Sequence, residues 1–311
     1  METIVVVGVE TVAGANLAAS LCDRMRVVGV CLDDRPVLLD PAVTCYDRTA
    51  GDPEDVLRRE SPSVVLHCGP ASVGLWETLD RGTLSLFNDR HALRWASAAA
   101  MSRIPFVLIS SCGVFSGPWM FHSERSECWC ASAEATAIRQ TEHAVRGRHP
   151  EALIVRTHVI GWSPRQPGAE CGWFEKVLAT LADGQAMEIP ATSHSTPIAA
   201  GAFADLLEVV LQRRPRGVLH LGGAQRVNFQ EFAETASEVF GLPRPPAGRR
   251  IELASRPEGF GRGETSLQAD RLRRWGLTVP LLRDSLVSLR HQQDSGFVQR
   301  LGHVELSERV A

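Results

Sequence analysis

A short loop near the N-terminus has the residue types that bind phosphate groups. Gly8 and Gly14 stand six positions apart, between a run of β-branched residues and a helical pattern, with Thr11 midway. Glycine permits the tight turn, and the start of the helix offers free N–H groups and the positive end of its dipole to a pyrophosphate. The loop therefore predicts a dinucleotide site over Gly8, Thr11 and Gly14. Because Glu10 adds a negative charge beside that site, we expect weaker binding than usual.

Acidic residues follow the next predicted strand. Asp33 and Asp34 come soon after a run that ends at Cys31, and a carboxylate at this place can bind the ribose hydroxyl groups of NAD. Arg35 would instead suit the 2′-phosphate of NADP, and a merely exposed acidic turn would bind neither. The sequence leaves these three alternatives open.

Hydroxyl and imidazole groups stand at the ends of two later strands. Ser110 and Ser111 end a buried run, and His158 follows another. Because ligands bind beyond the carboxyl ends of parallel strands, the serines are candidate donors to a substrate carbonyl, and His158 is a candidate acid, base or phosphate donor. For the serines the alternative is local hydrogen bonding at the strand end, and for His158 it is a packed histidine with its hydrogen bonds satisfied. A thiolate nucleophile at Cys112 is disfavoured, since no base is evident near it.

Short β-branched runs alternate with helical patterns through the first half of the chain. This alternation is typical of βαβ units and a parallel sheet. We predict a Rossmann-type α/β fold, a doubly wound parallel sheet, over residues 1–160. A smaller C-terminal substrate lobe over 161–311 is expected to interleave with the last strands. The predicted strands include 3–8, 27–31, 63–67, 105–109 and 152–156, and the predicted helices include 13–21, 83–101 and 131–146.

Composition restricts the class of protein. With 311 residues, of which 44% are hydrophobic and 22% charged, the chain can form an ordinary globular core. The net charge of −3 gives no electrostatic reason to expect nucleic acid or an acidic membrane surface, and no apolar run reaches the length of a membrane span.

The N-terminus lacks a cationic, cleavable leader, and scattered cysteines fit reduced thiols, so we expect a cytoplasmic protein. Cys128, Cys130 and His122 lack the paired spacing of a zinc site, so no metal is expected.

Six segments, in order, resemble the extended short-chain dehydrogenase/reductases, in the branch that includes dTDP-4-dehydrorhamnose reductase. The glycine loop is similar to the G-x-x-G-x-x-G of that family, with Thr11 at the middle glycine, and FVLISSCGVFSG at 106–117 is similar to its S-T-D-x-V-F-x-G strand. The resembling segments are 8–14, 62–71, 86–96, 106–117, 154–157 and 174–176 with Pro197. The resemblance implies NAD or NADP as cofactor, Asn88 among the cofactor-binding residues, and a small-molecule substrate, and it leaves a homodimer open.

The catalytic pair of that family is missing from this chain. Family members carry Y-x-x-x-K on one helix, where the lysine lowers the pKa of the tyrosine that moves a proton. Counting from Glu124, which matches the loop glutamate of the family, the tyrosine position holds Glu134 and the lysine position holds Ile138. Glu142 then falls on the downstream glutamate of the family, which supports this register.

No other tyrosine and lysine can replace that pair. The chain has one tyrosine, Tyr46, in a predicted loop, and one lysine, Lys176, in the other lobe. We therefore expect an atypical oxidoreductase in which Glu134, Ser111 or a water relay moves the proton. Two alternatives stay open. One is a non-redox enzyme (a lyase, cyclase, isomerase or hydrolase) that uses Glu134 and His158, and the other is a non-catalytic NAD(P)-binding regulatory subunit.

Overall fold

The computed structural model describes most of the chain. The described residues are 1–32, 37, 39–47, 51–76, 90–165, 172–185, 188–190, 193–246, 249–251 and 259–302. Three of the predicted cofactor-binding residues, Asp33, Asp34 and Asn88, lie outside the described residues.

A parallel sheet forms the centre of the molecule. In the described part of the chain the strands are β1 (Thr3–Val7), β2 (Arg26–Val30), β3 (Thr44–Tyr46), β4 (Val64–His67), β5 (Phe106–Ser111), β6 (Leu153–Thr157), β7 (Val159–Ile160), β8 (Glu188–Pro190), β9 (His194–Ser195), β10 (Ile198–Ala199), β11 (Gly217–His220), β12 (Val227–Asn228) and β13 (Arg249–Ile251). Seven of them form the sheet, in the order β11–β6–β5–β4–β1–β2–β3. The short strands pair β7 with β10, β9 with β12 and β8 with β13. The predicted Rossmann-type α/β fold is thereby confirmed.

Helices cover both faces of the sheet. Along the described residues they are α1 (Val12–Leu21), α2 (Pro53–Glu60), α3 (Arg90–Met101), α4 (Ala133–Arg148), α5 (Trp173–Ala182), α6 (Ala200–Gln212), α7 (Phe229–Phe240), α8 (Asp270–Arg274) and α9 (Leu282–Asp294). Short 3₁₀ helices lie at Pro70–Ser72, Cys112–Val114 and Phe297–Leu301. Among these described helices, none is both long enough and apolar enough to cross a membrane.

The side chains of β1 show why its residues 4–7 are all apolar. Ile4 and Val6 belong to the cluster on one face of the sheet, with Leu17 of α1, whereas Val5 and Val7 belong to the cluster on the other face. Successive side chains of a strand point to opposite faces, so a strand covered on both faces buries its side chains on either side, and apolar residues suit such positions. A third apolar cluster lies among the C-terminal helices and the 3₁₀ helix at Cys112–Val114.

The strand order reverses between β1 and β4, which are neighbours in the sheet. Gly8 follows β1 and Cys68 follows β4, and the Cys68 N–H donates to the carbonyl oxygen of Val7 at 2.8 Å. In an open α/β sheet, ligands bind in the crevice at such a reversal. The predicted glycine loop therefore lies at the point where the topology favours a ligand.

Tyr46 was predicted in a loop, and this prediction is wrong. The residue ends β3, the edge strand, which pairs with β2 through Cys45 opposite Gly29. Its hydroxyl group donates to Glu60 Oε1 at 2.5 Å. A three-residue, partly exposed strand has too short a pattern to be recognised from the sequence, since alternation needs about four residues or more.

Gly14 generates the first testable prediction. A Cβ at this position would lie 2.1 Å from the Gly8 carbonyl oxygen, so Gly14→Ala should lower the free energy of unfolding by about 1–3 kcal/mol. Gly147, in α4, has nothing within 4 Å of such a Cβ, so Gly147→Ala should raise it by about 0.5–1 kcal/mol through helix propensity. Urea denaturation of both variants measures the difference. Equal stability of the two would contradict the close approach of α1 to β1.

Candidate functional site

Gly8 makes the turn from β1 into α1. Its φ of +81° lies in the left-handed region that glycine tolerates, and a Cβ there would lie 2.2 Å from the carbonyl oxygen of Cys68. Together with the contact of Gly14, this leaves a turn that only residues without side chains can make. The N-terminus of α1 consequently lies beside the strand reversal, and Gly8 and Gly14 fit the tight loop that a dinucleotide requires.

Thr11 stands where the resemblance places the middle glycine. It is the N-cap of α1, and its Oγ1 accepts the Gly14 N–H at 3.0 Å. The hydroxyl group also lies 2.8 Å from the carbonyl oxygen of Gly8 and 3.1 Å from that of Cys68. Thr11 therefore ties the loop to the end of β4 and occupies one of the N–H groups that a phosphate would otherwise use.

Glu10 joins the glycine loop to the end of β2. Its Oε1 accepts the backbone N–H of Leu32 at 2.9 Å, and the residue is half-buried. In the sequence, Leu32 directly precedes Asp33 and Asp34. The negative charge of Glu10 is thereby placed toward the part of the site where a ribose is expected, rather than at the first turn of α1.

Ser110 and Ser111 both belong to β5, and their hydroxyl groups have different partners. Ser110 Oγ donates to Glu142 Oε1 at 2.6 Å inside the core. Ser111 Oγ accepts the N–H of Gly113 at 3.1 Å and caps the 3₁₀ helix that follows. Because Ser111 Oγ is the acceptor in this hydrogen bond, its own hydroxyl hydrogen is not used by it. Ser111 can therefore still donate a hydrogen bond at the carboxyl end of the sheet.

Glu142 of α4 and Arg156 of β6 form a buried, bidentate ion pair. Arg156 Nε lies 3.0 Å from Glu142 Oε1, and Nη2 lies 2.6 Å from Oε2. The guanidinium carbon of Arg156 also lies 5.1 Å from the ring centres of Phe115 and Trp129. A buried charge is costly unless it is paired, and here the carboxylate and two aromatic rings compensate it. The pair fixes α4 against β5 and β6.

His158 lies directly after β6 and is linked to other buried polar groups. Its Nδ1 is 2.8 Å from Ser195 Oγ, which in turn is 3.5 Å from Cys112 Sγ. The edge of the Trp76 ring packs against the imidazole, with ring centres 4.5 Å apart. Burial lowers the pKa of His158 to about 3 and raises that of Cys112 to about 11. Both groups are therefore uncharged near neutral pH, and Cys112 is not a thiolate.

Ser195 is a site residue that the sequence analysis missed. It belongs to the two-residue strand β9 and lies 37 positions from His158 in the chain. A two-residue strand gives no periodic signal. The run of five polar residues from Thr192 to Thr196 was the one available hint, and it is equally typical of a loop.

Large apolar side chains pack over the carboxyl end of β5. A Cβ on Gly113 would lie 2.5 Å from the ring of Phe260 and 2.8 Å from the side chain of Leu75. Trp76 is buried and packs against Phe232 with ring centres 5.0 Å apart. The glycine at 113 thus admits a wall of apolar groups, which keeps water from this end of the sheet.

Glu134 lies in the first turn of α4 and is half-exposed. Ser132 caps this helix by accepting the N–H of Ala135 at 3.2 Å. Ile138, one turn after Glu134, is completely buried in the apolar cluster that also contains Phe115. Ile138, expected from the sequence at the place of the family lysine, is thus part of the core, while the carboxylate of Glu134 lies nearer the surface. The catalytic role of Glu134 stays a prediction.

Comparison with known proteins places these features in context. Residues 1–288 match the family described as the RmlD substrate binding domain. The chain is similar to the probable low-salt glycan biosynthesis reductase Agl14 of Haloferax volcanii, with 29% identity over 139 residues, which are 44% of this chain and 46% of that protein. The chain thus matches about half the length of this relative.

Solved structures share the fold. The chain is similar to dTDP-4-dehydrorhamnose reductase from Bacillus anthracis strain Ames in complex with NADP, with a TM-score of 0.74 and 14% identity over 94% of this chain and 99% of that one. It is also similar to WbmH from Bordetella bronchiseptica in complex with NAD⁺, with a TM-score of 0.69 and 17% identity over 95% of this chain and 100% of that one.

The buried histidines predict how stability depends on pH. Burial lowers the pKa of His158 to about 3, and burial together with the charge of Arg156 lowers that of His220 to about 3. The unfolded chain takes up protons on these groups below about pH 6.5, so the free energy of unfolding should fall as the pH decreases from 6.5 toward 3, by up to about 1.4 kcal/mol per pH unit for each histidine.

Variants separate this effect from other titrations. His158→Asn keeps a polar atom toward Ser195 and should make the free energy of unfolding depend less steeply on pH. His143→Asn, at an exposed position of α4, should leave that dependence unchanged. Urea denaturation between pH 7 and pH 4 measures both slopes. An identical slope in His158→Asn and the wild type would show that His158 does not titrate as expected.

Proposed function

The chain belongs to the family of the RmlD substrate-binding domain, and from this we propose that it is a cytoplasmic NAD(P)-dependent oxidoreductase acting on a nucleotide sugar or a specialised metabolite without a tyrosine–lysine pair. The observation that carries the proposal is the turn at Gly8, which brings the N-terminus of α1 to the strand reversal. The complexes of its structural relatives with NADP and NAD⁺, and the reductase name of its curated relative, support the same class.

The glycine loop would hold the cofactor. Gly8, Thr11 and Gly14 surround the N-terminus of α1, where N–H groups and the helix dipole attract a pyrophosphate. From the sequence, Asp33 or Asp34 would bind a ribose, and Asn88 would lie nearby. When bound, the dinucleotide supplies or accepts a hydride.

Two side chains of this protein are proposed to handle the proton and the substrate oxygen. Ser111 retains a hydroxyl donor at the end of β5 and would hold a substrate oxygen by a hydrogen bond. Glu134, at the N-terminus of α4, would exchange the proton with that oxygen. His158 is uncharged near neutral pH because its pKa is about 3, so it is proposed as a positioning residue, as is Ser110.

One observation favours a second candidate function. Phe260 and Leu75 pack directly on Gly113, at the end of β5 where the substrate is expected. A protein that binds the dinucleotide but keeps this space filled would be a non-catalytic regulatory subunit. Binding without turnover distinguishes this candidate from the oxidoreductase.

The cofactor proposal predicts the effect of the charge at Glu10. Glu10→Gln keeps an oxygen that accepts the Leu32 N–H and removes a negative charge, so it should tighten binding of NADH about two- to tenfold and of NADPH by more, because NADPH carries an additional phosphate. Both gains should shrink at high salt. Calorimetric titration measures the affinities, with Glu2→Gln, at an exposed N-terminal position, as control. If neither dinucleotide binds the wild type at millimolar concentration, the proposed function is wrong.

The proton-transfer proposal predicts a hierarchy of variants. With dTDP-4-dehydrorhamnose and the preferred dinucleotide as probe, Glu134→Gln should lower kcat about a hundredfold or more, the scale of a lost general acid. Ser111→Ala should lower it about tenfold to a hundredfold, as a lost hydrogen bond to the substrate oxygen. Glu127→Gln, at an exposed loop position, is the matched control.

The alternative outcomes assign the chemistry elsewhere. Full activity of Glu134→Gln with loss of activity in His158→Ala would move the acid–base role to the end of β6. Tight dinucleotide binding with no turnover of any keto-sugar nucleotide would favour the regulatory subunit.

A further inference from the structure

A cleft of about 740 Å³ lies along β11, the edge strand of the sheet. Its walls come from the loop at 123–125, the last turns of α4, β11 and α8. None of the residues lining it belongs to the glycine loop, to the end of β5 or to the end of β6. It is therefore separate from the candidate site described above.

Basic side chains dominate the lining of this cleft. The positively charged residues that line it are Arg125, Arg146, Arg271, Arg273 and Arg274. The negatively charged ones are Glu124 and Asp270. The whole chain has a net charge of −3, so this local excess of positive charge is opposite in sign to the protein. A concave surface with one sign of charge focuses the electric field and attracts ions of the other sign.

Arg271 lines the cleft and is held by several contacts. Its Nη1 donates to the carbonyl oxygens of Arg216 at 3.0 Å and Val218 at 2.6 Å, and its guanidinium lies over the ring of Trp275 at 5.2 Å. Glu124 Oε1 accepts the backbone N–H of Arg271 at 3.3 Å. The cleft thus has a preformed floor, and one of its two carboxylates already has a partner in the backbone.

The other arginines of the cleft lack carboxylate partners. In the described part of the chain, Arg125, Arg146 and Arg273 form no ion pair, and Arg274 only approaches the backbone oxygen of Asp270 at 3.4 Å. Several exposed arginines elsewhere on the surface do pair with carboxylates, among them Arg24 with Asp205, Arg94 with Asp52 and Arg283 with Glu238. The uncompensated guanidinium groups repel one another, and a bound anion would relieve that repulsion.

We propose that this cleft binds an oligophosphate group, either as free pyrophosphate or as the diphosphate of a nucleotide. Guanidinium groups bind phosphate oxygens in pairs of parallel hydrogen bonds, and several of them converging favour a ligand with more than one phosphate. The volume lies in the range of small-molecule sites. A nucleic acid is the less suitable occupant, because the positive charge is confined to one cleft and the protein as a whole is acidic.

Calorimetric titration of the full chain with pyrophosphate tests the proposal. We expect saturable binding that weakens as salt increases. The double variant Arg146→Gln/Arg273→Gln should weaken it about tenfold or more, because two charge-assisted contacts are lost. Arg244→Gln, which replaces an exposed arginine outside the cleft, should change it less than about twofold. Both cleft positions are exposed, so the double variant should fold normally, which circular dichroism verifies.

Further titrations locate the ligand and identify its source. Pyrophosphate should bind equally well with NADH present, since the cleft and the glycine loop are separate; displacement by NADH would place the anion at the glycine loop and overturn the proposal. Tighter binding of UDP than of pyrophosphate would identify a nucleotide as the source, and the reverse would identify the free anion. No binding of either probe to the wild type, or equal binding by the double variant, would overturn the proposal while leaving the dinucleotide site untouched.

Discussion

Arg156 is a charged residue inside the sheet, and the carboxyl end of β5 and β6 is arranged around it. Its partner Glu142 comes from α4, and Ser110, opposite Arg156 in the strand register, donates to the same carboxylate. Removing one member of a buried pair leaves an uncompensated charge, which costs about 3–5 kcal/mol, so the position of α4 depends on this contact. Since α4 also carries Glu134, the ion pair helps to determine where that carboxylate lies.

The same burial that requires this pairing removes charge from the neighbouring groups. His158 and Cys112 stay neutral near pH 7 because an apolar wall of Leu75, Trp76 and Phe260 keeps water away. A lysine at position 138 would need a partner in this environment, and the chain has the buried Ile138 instead. A lysine at this position would therefore be costly to bury without a partner.

The carboxyl end of the sheet and its edge at β11 present different electrostatic environments. At the carboxyl ends of β5 and β6, Ser110 and Arg156 are buried and paired with Glu142, and the buried His158 is uncharged near neutral pH. Along β11 the guanidinium groups are exposed and largely unpaired, which suits an anion. The positive charges of this chain come almost entirely from arginines, with one lysine, and a guanidinium keeps its charge both in the core and at the surface.

Much of the fold was determined by the sequence alone, because strands buried on both faces are mostly apolar, and such runs are visible in β1, β2, β4, β5 and β6. The loss of the tyrosine–lysine pair was also evident, since it follows from counting residues. The tertiary structure alone decided which of two adjacent serines keeps a free donor, because neighbouring side chains of a strand face opposite sides. It alone joined Ser195 to His158 and gathered the arginines of the β11 cleft, because contacts between distant segments depend on how helices pack and leave no local periodicity in the sequence.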